Sequence, residues 1–301
     1  MALHCLRGIT LGVSRLEETR AFYRDFGLEE RSPGRFATGD GGEQLRLVEA
    51  PHRRLLEMRV AVEHDDDLGA MDSRLRALGL DPLRRPHSLE ILEPSSGVRV
   101  VAEVAPPIQP SHYAARAINA PGVTSRFNER SSAAVVSLPS RPRRLGHVVI
   151  GCPDAALTQR FFVQGVGFKV SDLVGEVGAA FLRCSSDHHN LLIQPAPVAF
   201  LHHTAWEMAD VDEVGQAAAR LVESRPDCHV WGLGRHGFGS NFFWYLRDPS
   251  GGFNEYYSDL DVIVDDELWK IAASTQVHPL AAWGPPVPME FLFPPDLPAM
   301  V

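Results

Sequence analysis

Two stretches of this chain, 140 residues apart, follow one plan, and that repeat restricts the possible folds more than any other feature of the sequence. Residues 7–28 read RGITLGVSRLEETRAFYRDFGL and residues 147–168 read HVVIGCPDAALTQRFFVQGVGF. Laid side by side without a gap, each gives a short apolar strand, a turn and an amphipathic helix. Each helix carries an aromatic pair, Phe22-Tyr23 or Phe161-Phe162, and stops near a glycine, Gly27 or Gly167, able to close it in the left-handed conformation. A second unit also recurs. RLLEMRVAVEHDDDLGAMDSRLRALGL (54–80) and LHHTAWEMADVDEVGQAAARLVE (201–223) each join an alternating strand to an acidic helix start and an amphipathic helix. Turn signals follow in both, EPSSG at 93–97 and DPSGG at 248–252, each marking a hairpin.

The chain therefore reads as four βαβββ modules, near 5–50, 54–105, 145–195 and 200–262. The fold class expected is α+β, with the modules paired into two domains. The boundaries predicted are an N-terminal pair over 1–105, a connector over 106–143 rich in Pro, Ser, Ala and Arg with one short helix, and a C-terminal pair over 144–265. A tail over 266–301 opens with a helix in DDELWKIAAS and continues as a proline-rich stretch lying extended over the body.

Length agrees, since 301 residues suit two such domains, each able to bury its own core. A formal net charge of -9 repels phosphate backbones and argues against a nucleic-acid partner. The four cysteines, Cys5, Cys152, Cys184 and Cys228, form no C-x-x-C pair and read as buried free thiols in a reducing cytosol. No stretch approaches a membrane span, and MALHCLRGIT lacks the pattern of a signal peptide. A cytoplasmic protein without a membrane partner is expected.

Three residues of the second half stand out as metal ligands. His147 opens the first strand of module three, His203 opens the first strand of module four in LHHTAWEM, and Glu255 lies in its last strand in FNEYYSD. Two imidazoles and one carboxylate make the facial triad of non-haem Fe(II) oxygenases, which leaves three positions of an octahedral ion open. Each residue alone is ordinary: histidines at strand starts are commonly structural, and Glu255 could be an exposed strand residue. Alternation, however, sets Glu255 on one face with Phe253 and Tyr257, where an unpaired carboxylate is costly to bury. The three together, at equivalent places in repeated modules, point to a metal centre.

The segments LGHVVIG, HHNLLI, LHHTAWE and GRHG…WYLRDPSGGFNEYYSD resemble, in the same order, the motifs of the type I extradiol dioxygenases of the vicinal oxygen chelate superfamily, which also holds glyoxalases and bleomycin-resistance proteins. The resemblance covers both halves in plan and roughly 145–262 in motif detail. It implies Fe(II), with Mn(II) also accepted by such a triad, O₂ as co-substrate, and a small aromatic diol opened beside its hydroxyls. It also implies a homo-oligomer, tetramer or larger. By the same resemblance His189 acts on reduced oxygen and moves a proton, with His188 a competing candidate, while His236 and Tyr245 hold and polarise the diol. Trp206, Phe242, Phe243 and Trp244 are aromatic neighbours that leave room for a bulky ring.

The first half serves as an internal control. The offset of 140 puts Arg7 where His147 stands, and aligning the second units puts Glu57 opposite His203 and Val101 opposite Glu255. The scaffold is repeated and the ligands are not. Two other readings stay open on these residues: a glyoxalase-like isomerase or epimerase, which oxygen uptake would separate, and a metal-free ligand-sequestering module, which metal analysis would separate.

Overall fold

The structure, a computed structural model, describes residues 3–111, 116–135, 141–174, 178–273 and 279–300. The first module is β1 (Leu3–Val13), α1 (Leu16–Asp25), β2 (Glu29–Ser32), β3 (Arg35–Thr38) and β4 (Gly42–Glu49). The second is β5 (Arg54–Val62), α2 (Asp65–Ala77), β6 (Leu83–Arg85), β7 (Ser88–Leu92) and β8 (Arg99–Val104). A short helix, α3 (Ser132–Val135), lies in the connector. The third module is β9 (Arg144–Cys152), α4 (Ala155–Arg160), β10 (Lys169–Val174), β11 (Ala179–Arg183) and β12 (Leu191–Pro195). The fourth is β13 (Phe200–Glu207), α5 (Val211–Ser224), β14 (His229–His236), β15 (Phe242–Arg247) and β16 (Phe253–Ser258), followed by α6 (Asp266–Ala273), β17 (Ala281–Trp283) and α7 (Met289–Leu292).

Local chemistry accounts for these elements. α5 starts where the Asp210 side chain accepts from the Glu213 amide at 2.9 Å, and acidic residues fill its first turn. Its buried residues, Val214, Ala217, Ala218 and Leu221, follow the spacing of one helical face. β9 and β13 are buried almost throughout, as strands at the centre of a sheet covered on both faces are. The tail is more structured than its proline content suggests: β17 adds to the edge of the second sheet beside β14, because Ala281 and Trp283 meet His236 and Arg235 there.

Two mixed sheets result, ordered β2-β3-β4-β1-β5-β8-β7-β6 and β10-β11-β12-β9-β13-β16-β15-β14-β17. In each, the first strands of the two modules pair antiparallel at the centre and each pairs in parallel with the last strand of its own module. This connectivity makes β9, β13 and β16 neighbours.

The halves are locked together by contacts that their helices make across the boundary. α1 covers the second sheet: Tyr23 Oη donates to Asn254 Oδ1 at 2.7 Å, and Phe26 stacks on Tyr256 with centroids 4.0 Å apart. Reciprocally, the helix of module three meets the second module, where Thr158 Oγ1 donates to Glu93 at 3.1 Å and Arg74 donates to the Gly165 and Val166 carbonyls at 3.1 Å. One apolar core runs through both halves. Burying rings such as Phe22 and Phe161 contributes roughly 1.5–3 kcal/mol each.

The structure corrects the ungapped repeat. Strand pairing sets Gly8 opposite Arg59 and His147 opposite Ala205, so Gly8, not Arg7, occupies the place of His147. Arg7 falls in a bulge between Leu6 and Gly8. The repeat steps by 139 residues from the strand to the aromatic pair and by 140 only from Gly27 and Gly167 onward. The extra residue sits in Phe161–Val166, which is wound as a π turn where the first module continues as an ordinary helix. Both glycines close their helices at positive φ, 100° and 104°.

Candidate metal centre

Side chains directly opposite one another on neighbouring strands share a face. A single row crosses five strands of the second sheet: His147 on β9, Ala205 on β13, Glu255 on β16, Tyr245 on β15 and Trp231 on β14. His203 lies two residues before Ala205, on the same face. Both histidines sit inside their strands rather than at the openings, because β9 opens at Arg144 and β13 at Phe200, and the ladder pairs both of these ends.

The ring nitrogens and carboxylate converge. Glu255 Oε2 lies 3.1 Å from His147 Nε2 and 3.6 Å from His203 Nε2, and the three ligand atoms are all within 4.8 Å of one another. Glu255 is fully buried, and its other oxygen accepts from Asn241 Nδ2 at 2.9 Å, whereas Oε2 has no hydrogen-bond partner among the described residues. Arg144, a guanidinium on the strand of His147, is taken by Asp187 and Glu207. A buried carboxylate oxygen without a donor, faced by two imidazole nitrogens, is the donor set of a divalent cation.

The remaining predicted residues surround this point. The His189 ring centroid is 4.1 Å from that of His147, and His189 lines the cavity beside it. His188 turns away: its Nε2 meets Asp172 Oδ2 at 2.9 Å and its ring packs against Trp269. Of the two neighbours, His189 is the one facing the centre. His236 Nδ1 donates to the Leu280 carbonyl at 2.7 Å, which leaves Nε2 to accept from Tyr245 Oη at 2.9 Å. Burial pushes His189 and His203 well below the usual imidazole range and lowers His236 and, to about 4, His202, so these rings are neutral at neutral pH. Burial, with the Glu255 charge, pushes Tyr245 well up, so its phenol keeps its proton.

The cavity and the open solvent at its mouth together make up about 620 Å³ of empty space. Its apolar wall includes Val149, Phe181, Leu192, Phe238, Phe291 and Leu292. The four aromatic residues expected near the ring are elsewhere. Trp206 is in the core between the halves and donates to Thr204; Phe243 packs behind His236; Trp244 bonds His229; Phe242 meets Trp283. Their order along the strands did not reveal which face they occupy relative to the cavity. Phe181 and Phe291 went unnoticed because one lies in a different module and the other in the tail. Asn241 lies in the GRHGFGSN turn, and its partner, Glu255, is 14 residues on.

The family model of the Glyoxalase/Bleomycin resistance protein/Dioxygenase superfamily matches residues 144–256, the span that carries this row. Metapyrocatechase 2 of Cupriavidus necator is 30% identical over 302 residues, covering 97% of this chain and 92% of that one. The Mn(II)-bound glyoxalase of Novosphingobium aromaticivorans is 27% identical, with a TM-score of 0.66 over 87% of this chain and 84% of that one. BphC, a halotolerant catechol dioxygenase, shares the fold over 98% of this chain and 97% of its own, at TM-score 0.72 and 19% identity. Fold, metal-ligand geometry and superfamily match define a metal-dependent protein of the paired βαβββ class. Within it, this chain belongs to the extradiol dioxygenases. Among the described residues, no helix is long and apolar enough to cross a membrane, and all four cysteines are free and buried.

Proposed function

We propose that His147, His203 and Glu255 hold a divalent iron and that the cavity beside them takes a catechol-type diol whose substituent is uncharged and apolar, for ring opening by O₂ beside the hydroxyls. The observation that carries this is Glu255 Oε2, buried, unpartnered and flanked by two imidazole Nε2 atoms. Fe(II) bound there supplies Lewis acidity and an electron path between diol and O₂. Tyr245 and His236 form a hydrogen-bonded pair at the cavity wall, placed to hold a diol oxygen. His189, on the opposite side next to His147, is placed to hold and move a proton on the oxygen side.

Substrate polarity follows from the lining. No lysine or arginine is among the described lining residues, and beyond Tyr245, Glu255 and the histidines the polar member is Gln194. A carboxylate on the ring would be buried without a cation, at a cost of several kcal/mol. An isomerase on the same scaffold would consume no oxygen.

The test is a panel of diols mixed anaerobically with Fe(II)-loaded protein and then exposed to air. We expect oxygen uptake and a yellow ring-fission product. Catechol, 3-methylcatechol and 2,3-dihydroxybiphenyl should exceed 3,4-dihydroxyphenylacetate in kcat/KM by about 10-fold or more. Preference for the carboxylated diol would overturn the polarity reading, and turnover without oxygen uptake would overturn the reaction.

The same reading assigns catalysis to 144–265, with 1–105 as the non-catalytic pair, 106–143 as connector and 266–301 as tail; the partition of strands between the two sheets supports it. It includes assembly into a homo-oligomer, tetramer or larger, supported by exposed apolar residues around the β10 edge and α6, namely Val170, Leu173, Val262, Val264 and Leu268. Sedimentation of the purified protein tests that state.

A further inference from the structure

Adjacent histidines occur twice at this centre, as His188-His189 and His202-His203, and in both pairs the outer ring holds the inner ring through the same atoms. His202 Nε2 lies 2.7 Å from the Phe291 carbonyl oxygen, and His202 Nδ1 lies 2.8 Å from His203 Nδ1. His188 Nε2 lies 2.9 Å from Asp172 Oδ2, and His188 Nδ1 lies 3.0 Å from His189 Nδ1. All four rings are buried.

With all four imidazoles in their neutral form, the donor count leaves one arrangement. Carbonyl and carboxylate oxygens accept, so each outer ring carries its hydrogen on Nε2 and has a lone pair at Nδ1. Two Nδ1 atoms in contact share one hydrogen, which must then belong to the inner ring. A neutral imidazole has one such hydrogen, so the inner ring has a bare Nε2. In His203 that is the atom facing Glu255 Oε2, and metal ligation requires its lone pair.

We propose that His188 and His202 are positioning residues, each setting the tautomer of the histidine after it so that His189 and His203 turn an unprotonated Nε2 toward the centre. For His203 this rests on the metal reading above and extends it to a residue outside the ligand set. The two anchors have different origins. Asp172 stands next to a bulge in β10, between Val170 and Asp172. Phe291 belongs to the C-terminal segment, which the first half holds in place: Arg53 pairs with both oxygens of Asp296 at 2.6 and 2.8 Å. The tail thus supplies no proposed ligand yet decides which nitrogen of His203 is free.

The direct test is a ¹H–¹⁵N correlation on metal-free, ¹⁵N-histidine-labelled protein. His188 and His202 should carry hydrogen on Nε2, and His189 and His203 on Nδ1. A hydrogen on Nε2 of His203 or His189 overturns the proposal. Variants add a functional arm, with glutamine able to donate to the anchor and accept from the inner ring. Co(II) affinity, read by competition with a chelator, should fall about 10–100-fold in His202→Phe and return to within about threefold of the unmutated protein in His202→Gln. His188→Phe should keep metal affinity and catechol KM within about threefold while kcat falls about 10-fold or more, and His188→Gln should restore it. Equal losses in the glutamine and phenylalanine variants overturn the proposal, because a purely structural role asks only for shape. If the unmutated protein binds neither Co(II) nor Fe(II), the metal reading fails, while the tautomers stand or fall on the spectra.

Discussion

The same cross-strand row exists in both halves and is filled in opposite ways. In the second sheet it runs His147, Ala205, Glu255, with His203 two residues back. In the first it runs Gly8, Arg59, Val101, with Glu57 two residues back. Ala205 leaves the middle of its row open, whereas Arg59 fills the equivalent place: a Cβ on Gly8 would lie 2.6 Å from Arg59 Nη2. Each half keeps a carboxylate near the row. Glu57 is near the surface and pairs with Arg99 and, at 3.9 Å, with Arg59. Glu255 is buried and faces imidazoles. One scaffold therefore gives a candidate metal site or an ion pair near the surface according to whether a small side chain or a guanidinium occupies the central strand.

The largest expected effect breaks the second row. His203→Ala or Glu255→Ala should lower metal affinity by more than about 100-fold and abolish turnover, with the fold retained. Elemental analysis and circular dichroism decide it, and a His203→Ala protein with stoichiometric iron and full activity would end the ligand assignment. Next comes the residue beside the row. His189→Asn should keep iron and anaerobic catechol affinity but lose about 10²–10⁴-fold in kcat; near-normal kcat removes the proton-handling role and leaves the metal centre untouched.

A third change makes the second row more like the first. Ala205→Leu puts bulk between His147 and Glu255, so it should weaken Fe(II) binding about 10-fold or more and cost about 1–3 kcal/mol of stability by overpacking. Metal titration and urea unfolding read the two effects separately, and unchanged affinity would mean that the open middle of the row is irrelevant. The smallest expected effect is in the first half. Arg7→Ala and Glu57→Ala should leave one metal ion per chain; a second ion, lost on changing Glu57, would show that the first row is a working site.

Much of this was legible before any coordinates. The module boundaries agree with the strands, since alternation and helical spacing are local properties and the turn signals at 93–97 and 248–252 fall between paired strands. His147, His203 and Glu255 stood out in the sequence because uncommon residue types fall at matched module positions, and the structure brings their ligand atoms within 4.8 Å of one another. The alignment of Arg7 with His147 failed for a physical reason: a π turn adds a residue without disturbing the apolar pattern, so an ungapped comparison slides by one.

The sequence by itself determined the repeated plan, the residues able to hold a metal and the absence of an equivalent set in the first half, because these depend on residue type and on spacing along one strand or helix. Tertiary structure decided the rest. It chose between His188 and His189, since one ring had to meet Asp172 and the other the centre. It selected Phe181 and Phe291 over Trp206 and Phe243 as cavity wall. It also joined His202 to a carbonyl 89 residues away. Such contacts arise from how sheets, helices and tail pack against one another, and short-range spacing carries no record of them.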